Sequence, residues 1–139
     1  MHRQSLASAA VICAAAGLYP LTASAHGFKD DGTVTPLLEQ ELGSLPGQVG
    51  TMITVSYPPG GQTAAHRHPG AHTFVYVLEG RLEMGVAGKS PVTLGPGQTY
   101  YESPEDTHVV SRNASDREPA RFLVMFVHER GQPVLVPAP

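Results

Sequence analysis

Cysteine is nearly absent from this 139-residue sequence, in which Cys13 is the single thiol. Cys13 lies in residues 1–25, a stretch with a basic start, an apolar middle and small residues at its end. That pattern is typical of a secretory signal peptide. We therefore expect a mature chain that begins at His26 and is periplasmic or secreted. Because such a chain has no thiol, disulfide scaffolds and thiolate catalysis are excluded.

Charge is also sparse, since Asp, Glu, Lys and Arg make up 15% of the sequence and the formal net charge is −3. The basic residues are scattered and form no run along the chain. Proteins that bind nucleic acid or an anionic membrane surface usually show such a run or patch. We expect a small-molecule ligand or substrate, no nucleic acid, and no membrane association after the signal peptide is removed.

Long helical repeats are missing, and 15 glycines and 13 prolines interrupt the chain at short intervals. The stretches between them, such as residues 51–57, 73–78 and 107–111, are β-branched or alternate between apolar and polar residues. The sequence therefore predicts an all-β fold of seven or eight short strands in a sandwich or closed barrel. The roughly 110 residues after the signal peptide suit a single domain.

The two ends of this domain have less regular patterns. We expect residues 26–45 to form an N-terminal arm, either irregular or with a single helical turn, and residues 46–139 to form the β-barrel domain. The closing residues 133–139 are predicted to form a covering strand or a tail exchanged with a partner chain. His128, just before them, is predicted to be a solvated strand end.

Histidine is concentrated in one place, where His66, His68 and His72 fall within seven residues. His66 and His68 are two residues apart, so on a strand both would point to the same face and could share a metal ion. A third imidazole would have to come from another strand, and His108 opens a β-branched segment. The sequence predicts that these residues bind a divalent transition metal, which could be Fe, Mn, Ni, Cu or Zn. Taken alone, the His66–His68 pair would fit an exposed strand end equally well.

Two motifs around these histidines resemble those of the cupin superfamily. The first, Gly-x5-His-x-His-x3,4-Glu-x6-Gly, is matched at Gly60, His66, His68 and Gly80. The second, Gly-x5-Pro-x-Gly-x2-His-x3-Asn, is approached at Gly97, Pro104, His108 and Asn113, with Pro104 and Asn113 one position away. The likeness is to small secreted single-domain cupins of the quercetin-dioxygenase-like (cupin_2) group. It implies an antiparallel jelly-roll barrel with the metal inside.

The sequence departs from the first motif at the carboxylate ligand, where Thr73 stands in place of the usual Glu. The neighbouring His72 is a tentative fourth ligand, although strand alternation points it outward if Thr73 points inward. Glu102 is the other candidate, because it precedes the second turn. It could replace the missing ligand, act as a catalytic base, or be a solvated strand end, and the sequence leaves these alternatives open.

The resemblance implies a metal-binding protein, with a dioxygenase acting on a small hydroxylated or keto compound as the favoured function. The alternatives are a cupin isomerase and a non-catalytic cupin that binds or senses a metal or small molecule. The cavity would be lined by the inward-facing members of one apolar set: Met52, Phe74, Tyr76, Tyr100, Phe122, Met125 and Phe126. Cupins commonly dimerise through sheet edges, so the resemblance also implies a homodimer.

Overall fold

The β-branched stretches become eleven short strands in the computed structural model, which describes residues 28–139. The predicted signal peptide lies outside these residues. The strands are β1 (Thr33–Glu41), β2 (Gln48–Tyr57), β3 (Gln62–Thr63), β4 (His66–Arg67), β5 (His72–Glu79), β6 (Leu82–Val86), β7 (Val92–Leu94), β8 (Thr99–Glu102), β9 (Thr107–Asn113), β10 (Ala120–Glu129) and β11 (Val136–Pro137). Residues 28–139 contain no helix, and hence none that is long and apolar enough to cross a membrane.

The strands form two sheets. The first has the order β1-β2-β10-β5-β8, and the second has the order β11-β4-β9-β6-β7, with β3 also paired to β9. Every pairing is antiparallel, and the chain crosses repeatedly from one sheet to the other. This arrangement confirms the predicted all-β fold, an antiparallel cupin-type jelly roll in one domain.

The core lies between the sheets and follows from the alternation of side chains along each strand. On β10, Phe122, Val124 and Phe126 face the second sheet and are buried, while the residues between them are half-buried or exposed. They pack in one cluster that includes Leu82 and Met84 of β6. Each side chain of this size contributes about 1.5–3 kcal/mol when fully buried. The same alternation decides which polar residues enter the interior.

A tight turn at Gly80 connects β5 to β6. Gly80 has φ +75°, and a Cβ there would collide with the backbone of Pro119 and Ala120. Only glycine combines that backbone angle with so close an approach. The glycine that ends the first motif therefore has a structural role in joining the two sheets.

β1 is the main difference from the sequence-based expectation for the N-terminal arm. Residues Thr33–Glu41 form neither an irregular segment nor a helical turn, but pair along their length with β2. All nine residues are exposed, so backbone pairing rather than side-chain burial holds the strand at the edge of the first sheet. A strand with two exposed faces needs no apolar alternation, and its sequence therefore gave no strand signal.

Candidate metal centre

His66 and His108 are direct cross-strand neighbours. β4 pairs with β9 so that His66 lies opposite His108. Both side chains point into the barrel and are buried, and their ring centroids are 4.8 Å apart. His66 Nε2 lies 3.3 Å from His108 Nδ1. The first and second motifs are therefore brought together by the pairing of two adjacent strands.

His68 joins them from the residue after β4, where its side chain returns to the same face. Its Nδ1–H donates to the carbonyl of Val134, in the segment that precedes β11. That segment is held in place because β11 pairs with β4, with Val136 opposite Arg67. The closing residues thus form the covering strand that was one of the two alternatives. They leave His68 Nε2 free to face the interior.

The His66 ring is oriented in the same way, since its Nδ1–H donates to the Ala64 carbonyl at 2.8 Å. Such outer hydrogen bonds set the tautomer of an imidazole and leave a lone pair on the inner nitrogen. One potential ligand atom from each of His66, His68 and His108 lies within 4.8 Å of the other two. The three histidines singled out by the sequence therefore form a possible transition-metal site.

Glu102 approaches this cluster from the opposite sheet. It is the last residue of β8, and only 2% of its surface is exposed. Its Oε2 lies 3.1 Å from His108 Nδ1 and 3.7 Å from His68 Nε2. The solvated-strand-end alternative for Glu102 is therefore wrong.

Burial shifts the pKa of each of these four groups in the direction that favours its neutral form. Burial lowers the pKa of His66, and it lowers the pKa of His68 to about 4. Burial and the neighbouring imidazoles together lower the pKa of His108 to about 3. Burial, reinforced by the Asp106 carboxylate, raises the pKa of Glu102 to about 8. The contact between Glu102 and His108 therefore joins neutral groups and is not an ion pair. A bound divalent cation would lower the pKa of Glu102 again, because it stabilises the ionised carboxylate.

Two buried polar atoms beside this cluster test whether the site suits a cation. Within residues 28–139, Thr73 Oγ1 and His108 Nε2 are the buried side-chain atoms without a hydrogen-bond partner. Buried polar groups are nearly always satisfied, so the Thr73 hydroxyl indicates a missing ligand or solvent partner in the cavity, whereas His108 Nε2 cannot contact the ion that His108 Nδ1 would bind. Neutral imidazoles with inward lone pairs and a facing carboxyl group are also the donors that transition metals prefer. The residues fit a bound metal ion.

The cluster opens into a cavity between the sheets with about 80 Å³ of free space. Its walls are mostly apolar and include Phe122 and Phe126 from the predicted apolar set, whereas Phe74 and Tyr76 lie exposed on the outer face. A second polar group borders the cavity, where the Tyr57 hydroxyl lies 2.8 Å from Ser111 Oγ. The cavity can therefore contact polar atoms of a small ligand at two places.

His72 is not part of the cluster. It lies at the start of β5, where Thr73 takes the inward position, and its exposed ring is 2.7 Å from the Tyr101 hydroxyl through Nδ1. The turn before His72 does not re-aim it, so the tentative fourth-ligand assignment does not agree with the structure. The reason is the alternation of side chains along a strand.

His128 corrects a second expectation, because it is buried rather than solvated at a strand end. Its Nε2 lies 2.9 Å from Thr51 Oγ1, and its Nδ1 is 2.9 Å from the Glu129 carbonyl. Asn113, from the second motif, donates to the Pro58 and Glu118 carbonyls. These residues stabilise loops and strand ends and do not contact the three-histidine cluster.

Sequence reasoning missed two contributors to the site. The Val134 carbonyl could not be found, because any residue supplies a backbone carbonyl and only the folded chain places it at His68. Tyr57 could have been found, because the alternation in residues 51–57 puts it on the same face as Val55. Its hydroxyl contacts Ser111 and Thr63, which forms the second polar group of the cavity.

Comparison with known protein families identifies a cupin model. The model of the cupin domain family, described as Cupin_2: Cupin domain, matches residues 53–126. This range contains the three clustered histidines, Thr73 and Glu102. None of the curated proteins compared with the chain matches its sequence.

Several solved structures are similar in fold. An oxalate oxidase in complex with glycolate is 23% identical, with a TM-score of 0.60, covering 78% of this chain and 55% of its own. The DMSP lyase DddQ from Ruegeria pomeroyi DSS-3 is 26% identical, with a TM-score of 0.55, covering 64% of this chain and 43% of its own. The Cupin_2 domain of an XRE family transcriptional regulator from Enterobacter cloacae is 26% identical, with a TM-score of 0.56. The alignment covers 72% of this chain and 99% of that domain. The chain thus spans about half of the oxidase and less than half of the lyase.

Proposed function

Because this chain belongs to the cupin domain family, we propose that it is a metal-dependent dioxygenase that acts on a small hydroxylated or keto compound. His66, His68 and His108 would hold the metal ion, which would be Fe, Mn, Ni or Cu in a dioxygenase, whereas Zn, which is not redox-active, would suit the isomerase alternative. The observation that carries this proposal is the buried three-histidine cluster, with ligand atoms within 4.8 Å of one another. The similar fold of an oxidase that binds glycolate, a small hydroxylated compound, supports the substrate class.

A bound transition-metal ion would supply a Lewis-acid or redox-active centre. The chain's own residues define what reaches it. Phe122 and Phe126 exclude water from the cavity wall, and its free space of about 80 Å³ admits a compound of only a few heavy atoms. Tyr57 and Ser111 offer hydroxyl groups to such a compound. A small molecule with more than one oxygen atom fits these walls better than a large aromatic one.

Metal analysis of natively purified protein tests the first part of this proposal. We expect about one transition-metal ion per chain in the wild type. The double variant His66→Ala/His68→Ala should retain only background metal. The matched control His72→Ala removes an exposed histidine and should keep the wild-type content. A wild-type protein that binds no transition metal would overturn the proposal.

Oxygen consumption by the metal-loaded protein tests the second part. The compounds are a two-carbon hydroxy acid, a small diketone and a flavonol, with a metal-free sample as control. The cavity predicts turnover of the first two and none of the flavonol, which is too large for it. Product formation without oxygen consumption would instead support the isomerase alternative.

A non-catalytic binding or sensing role is the second candidate. It is favoured by the similarity to the cupin domain of the Enterobacter cloacae transcriptional regulator, nearly all of which aligns with this chain. Metal binding and a ligand-induced rise in melting temperature, without turnover of any compound, would distinguish this role from catalysis.

We also propose that the protein is exported and forms a homodimer. The signal-peptide pattern supports export to the periplasm or beyond, and mass spectrometry should find a mature chain starting at His26.

The exposed edge strand β1 supports dimerisation, because Val34 and Leu38 are 50% and 52% exposed. Light scattering should show a dimer in the wild type and a larger monomer fraction in Leu38→Lys.

A further inference from the structure

One carboxylate faces the three histidines from the opposite sheet. Building on the proposed metal-binding function, we propose that Glu102 is the fourth protein ligand of the metal ion. This assignment differs from the catalytic-base role that the sequence left open for Glu102. It rests on atom spacing, on burial, and on the strand register.

Three of the separations between ligand atoms of the four side chains are close to those of ligands around a single ion. With metal–ligand bonds of about 2.1 Å, adjacent ligand atoms lie about 3.0 Å apart at a right angle and about 3.4 Å apart in a tetrahedron. His66 Nε2 and His108 Nδ1 are separated by 3.3 Å, and His108 Nδ1 and Glu102 Oε2 by 3.1 Å. The separation of 3.7 Å between His68 Nε2 and Glu102 Oε2 exceeds the tetrahedral value by about 0.3 Å. These separations are compatible with one ion that contacts all four residues.

Within residues 28–139, no positively charged group lies beside the buried Glu102 carboxyl to stabilise its ionised form. Among residues 28–139, its close charged or chargeable partners are His68 and His108 alone, and no Lys or Arg pairs with it. A buried carboxylate without a positive partner is strongly unfavourable. A divalent cation between the two sheets supplies that partner.

The register explains how a carboxylate reaches this place from β8. Thr73 of β5 pairs directly with Glu102. Paired residues on neighbouring antiparallel strands have Cβ atoms about 4.5–5.5 Å apart on the same face. Thr73 is the position at which the first motif expects a glutamate, and its hydroxyl is buried without a partner. A carboxylate moved by one strand enters the same space, so Glu102 compensates for the threonine.

The test moves the carboxylate between the two strands and follows metal binding directly. Three variants are titrated with Co²⁺: Glu102→Gln, the exchange Thr73→Glu/Glu102→Thr, and the control Glu105→Gln, which removes an exposed carboxylate from the same turn. We expect Glu102→Gln to weaken Co²⁺ binding by about 10- to 100-fold or more and to change the visible absorption of the bound ion. The exchange should recover most of the affinity, and Glu105→Gln should match the wild type.

Unchanged Co²⁺ affinity and absorption in Glu102→Gln would overturn the assignment and leave Glu102 as a base. If the exchange variant does not fold, Glu102→Gln decides alone, since its side chain has the same shape and its folding can be checked without metal. A wild type that binds no Co²⁺ would defeat the proposed function as well. A wild type that binds Co²⁺ but consumes no oxygen would defeat the dioxygenase reaction and leave this ligand assignment intact.

Discussion

The two sides of the candidate metal centre are built differently. On the histidine side, His66 and His68 each donate an outer N–H to a backbone carbonyl, from Ala64 and Val134. On the carboxylate side, Glu102 and Thr73 have no such anchors within residues 28–139, and the Thr73 hydroxyl has no hydrogen-bond partner there. His66 and His68 are therefore oriented by the protein alone, whereas His108 Nε2 has no partner among residues 28–139. The carboxylate side is completed only by what binds in the cavity.

This difference indicates how the site divides its roles. Oriented neutral imidazoles need no rearrangement to accept an ion, which favours binding. The protonated carboxyl of Glu102 must lose its proton to become a ligand, so metal binding there is coupled to pH. Perturbing each side separately should therefore give distinct results.

The largest effect is expected from removing the outer support of His68. A chain that ends after Pro133 lacks the Val134 carbonyl and β11, whereas a control that ends after Pro137 keeps both. We expect the shorter chain to bind Co²⁺ about 10- to 100-fold more weakly, because an unsupported imidazole binds metal less well. Circular dichroism should show that the β fold persists. Equal affinities in the two truncated proteins would contradict the idea that the histidine side is preorganised.

A smaller effect is expected from pH on the metal-free protein. The pKa of Glu102 is raised from 4.5 to about 8, so the folded protein holds a proton that the unfolded chain has released. The stabilising contribution of Glu102 to the free energy of unfolding is fully present below pH 4.5 and is lost as the pH rises through 8. The pKa of His68 is lowered from 6.5 to about 4, so its contribution is lost instead as the pH falls below 6.5. Above pH 6.5, Glu102 therefore determines the slope.

Urea unfolding from pH 6.5 to 8 measures that slope. In the metal-free wild type, the free energy of unfolding should fall with rising pH, by at most about 1.4 kcal/mol per pH unit. Metal-free Glu102→Gln should show a nearly flat profile over the same range. Parallel profiles in the two proteins would mean that Glu102 is already ionised in the folded state.

The smallest effect is expected from Thr73, which lies beside Glu102. Thr73→Val keeps the shape of the side chain and removes a hydroxyl that has no partner, so it should stabilise the metal-free protein by about 1 kcal/mol. Thr73→Ser keeps the hydroxyl and removes a buried methyl group, which should destabilise by about 1 kcal/mol. Thermal unfolding of both variants gives the comparison. A destabilised Thr73→Val would show that the hydroxyl binds a group in the cavity.

The strands with a buried face were predictable, whereas the fully exposed β1 and the two-residue strands were not. The stretch at residues 73–78 lies within the observed β5, and the stretch at residues 107–111 lies within the observed β9. The segment predicted as one strand through His66 and His68 is instead divided into β3 and β4, each two residues long. β1 is exposed on both faces, so its sequence shows no alternation of apolar and polar residues. Sequence patterns report burial, and strands held by backbone pairing alone leave little trace.

By itself, the sequence predicted an all-β chain that resembles cupins, with His66 and His68 on one face of a strand and His108 as a third ligand from another strand. Only the tertiary structure decided between His72 and Glu102. His72 turns outward by the alternation of β5, while β8 places Glu102 beside the histidines. Which strand lies next to β5 is a property of the sheet and not of local sequence. Long-range pairing therefore decided which group faces the metal centre.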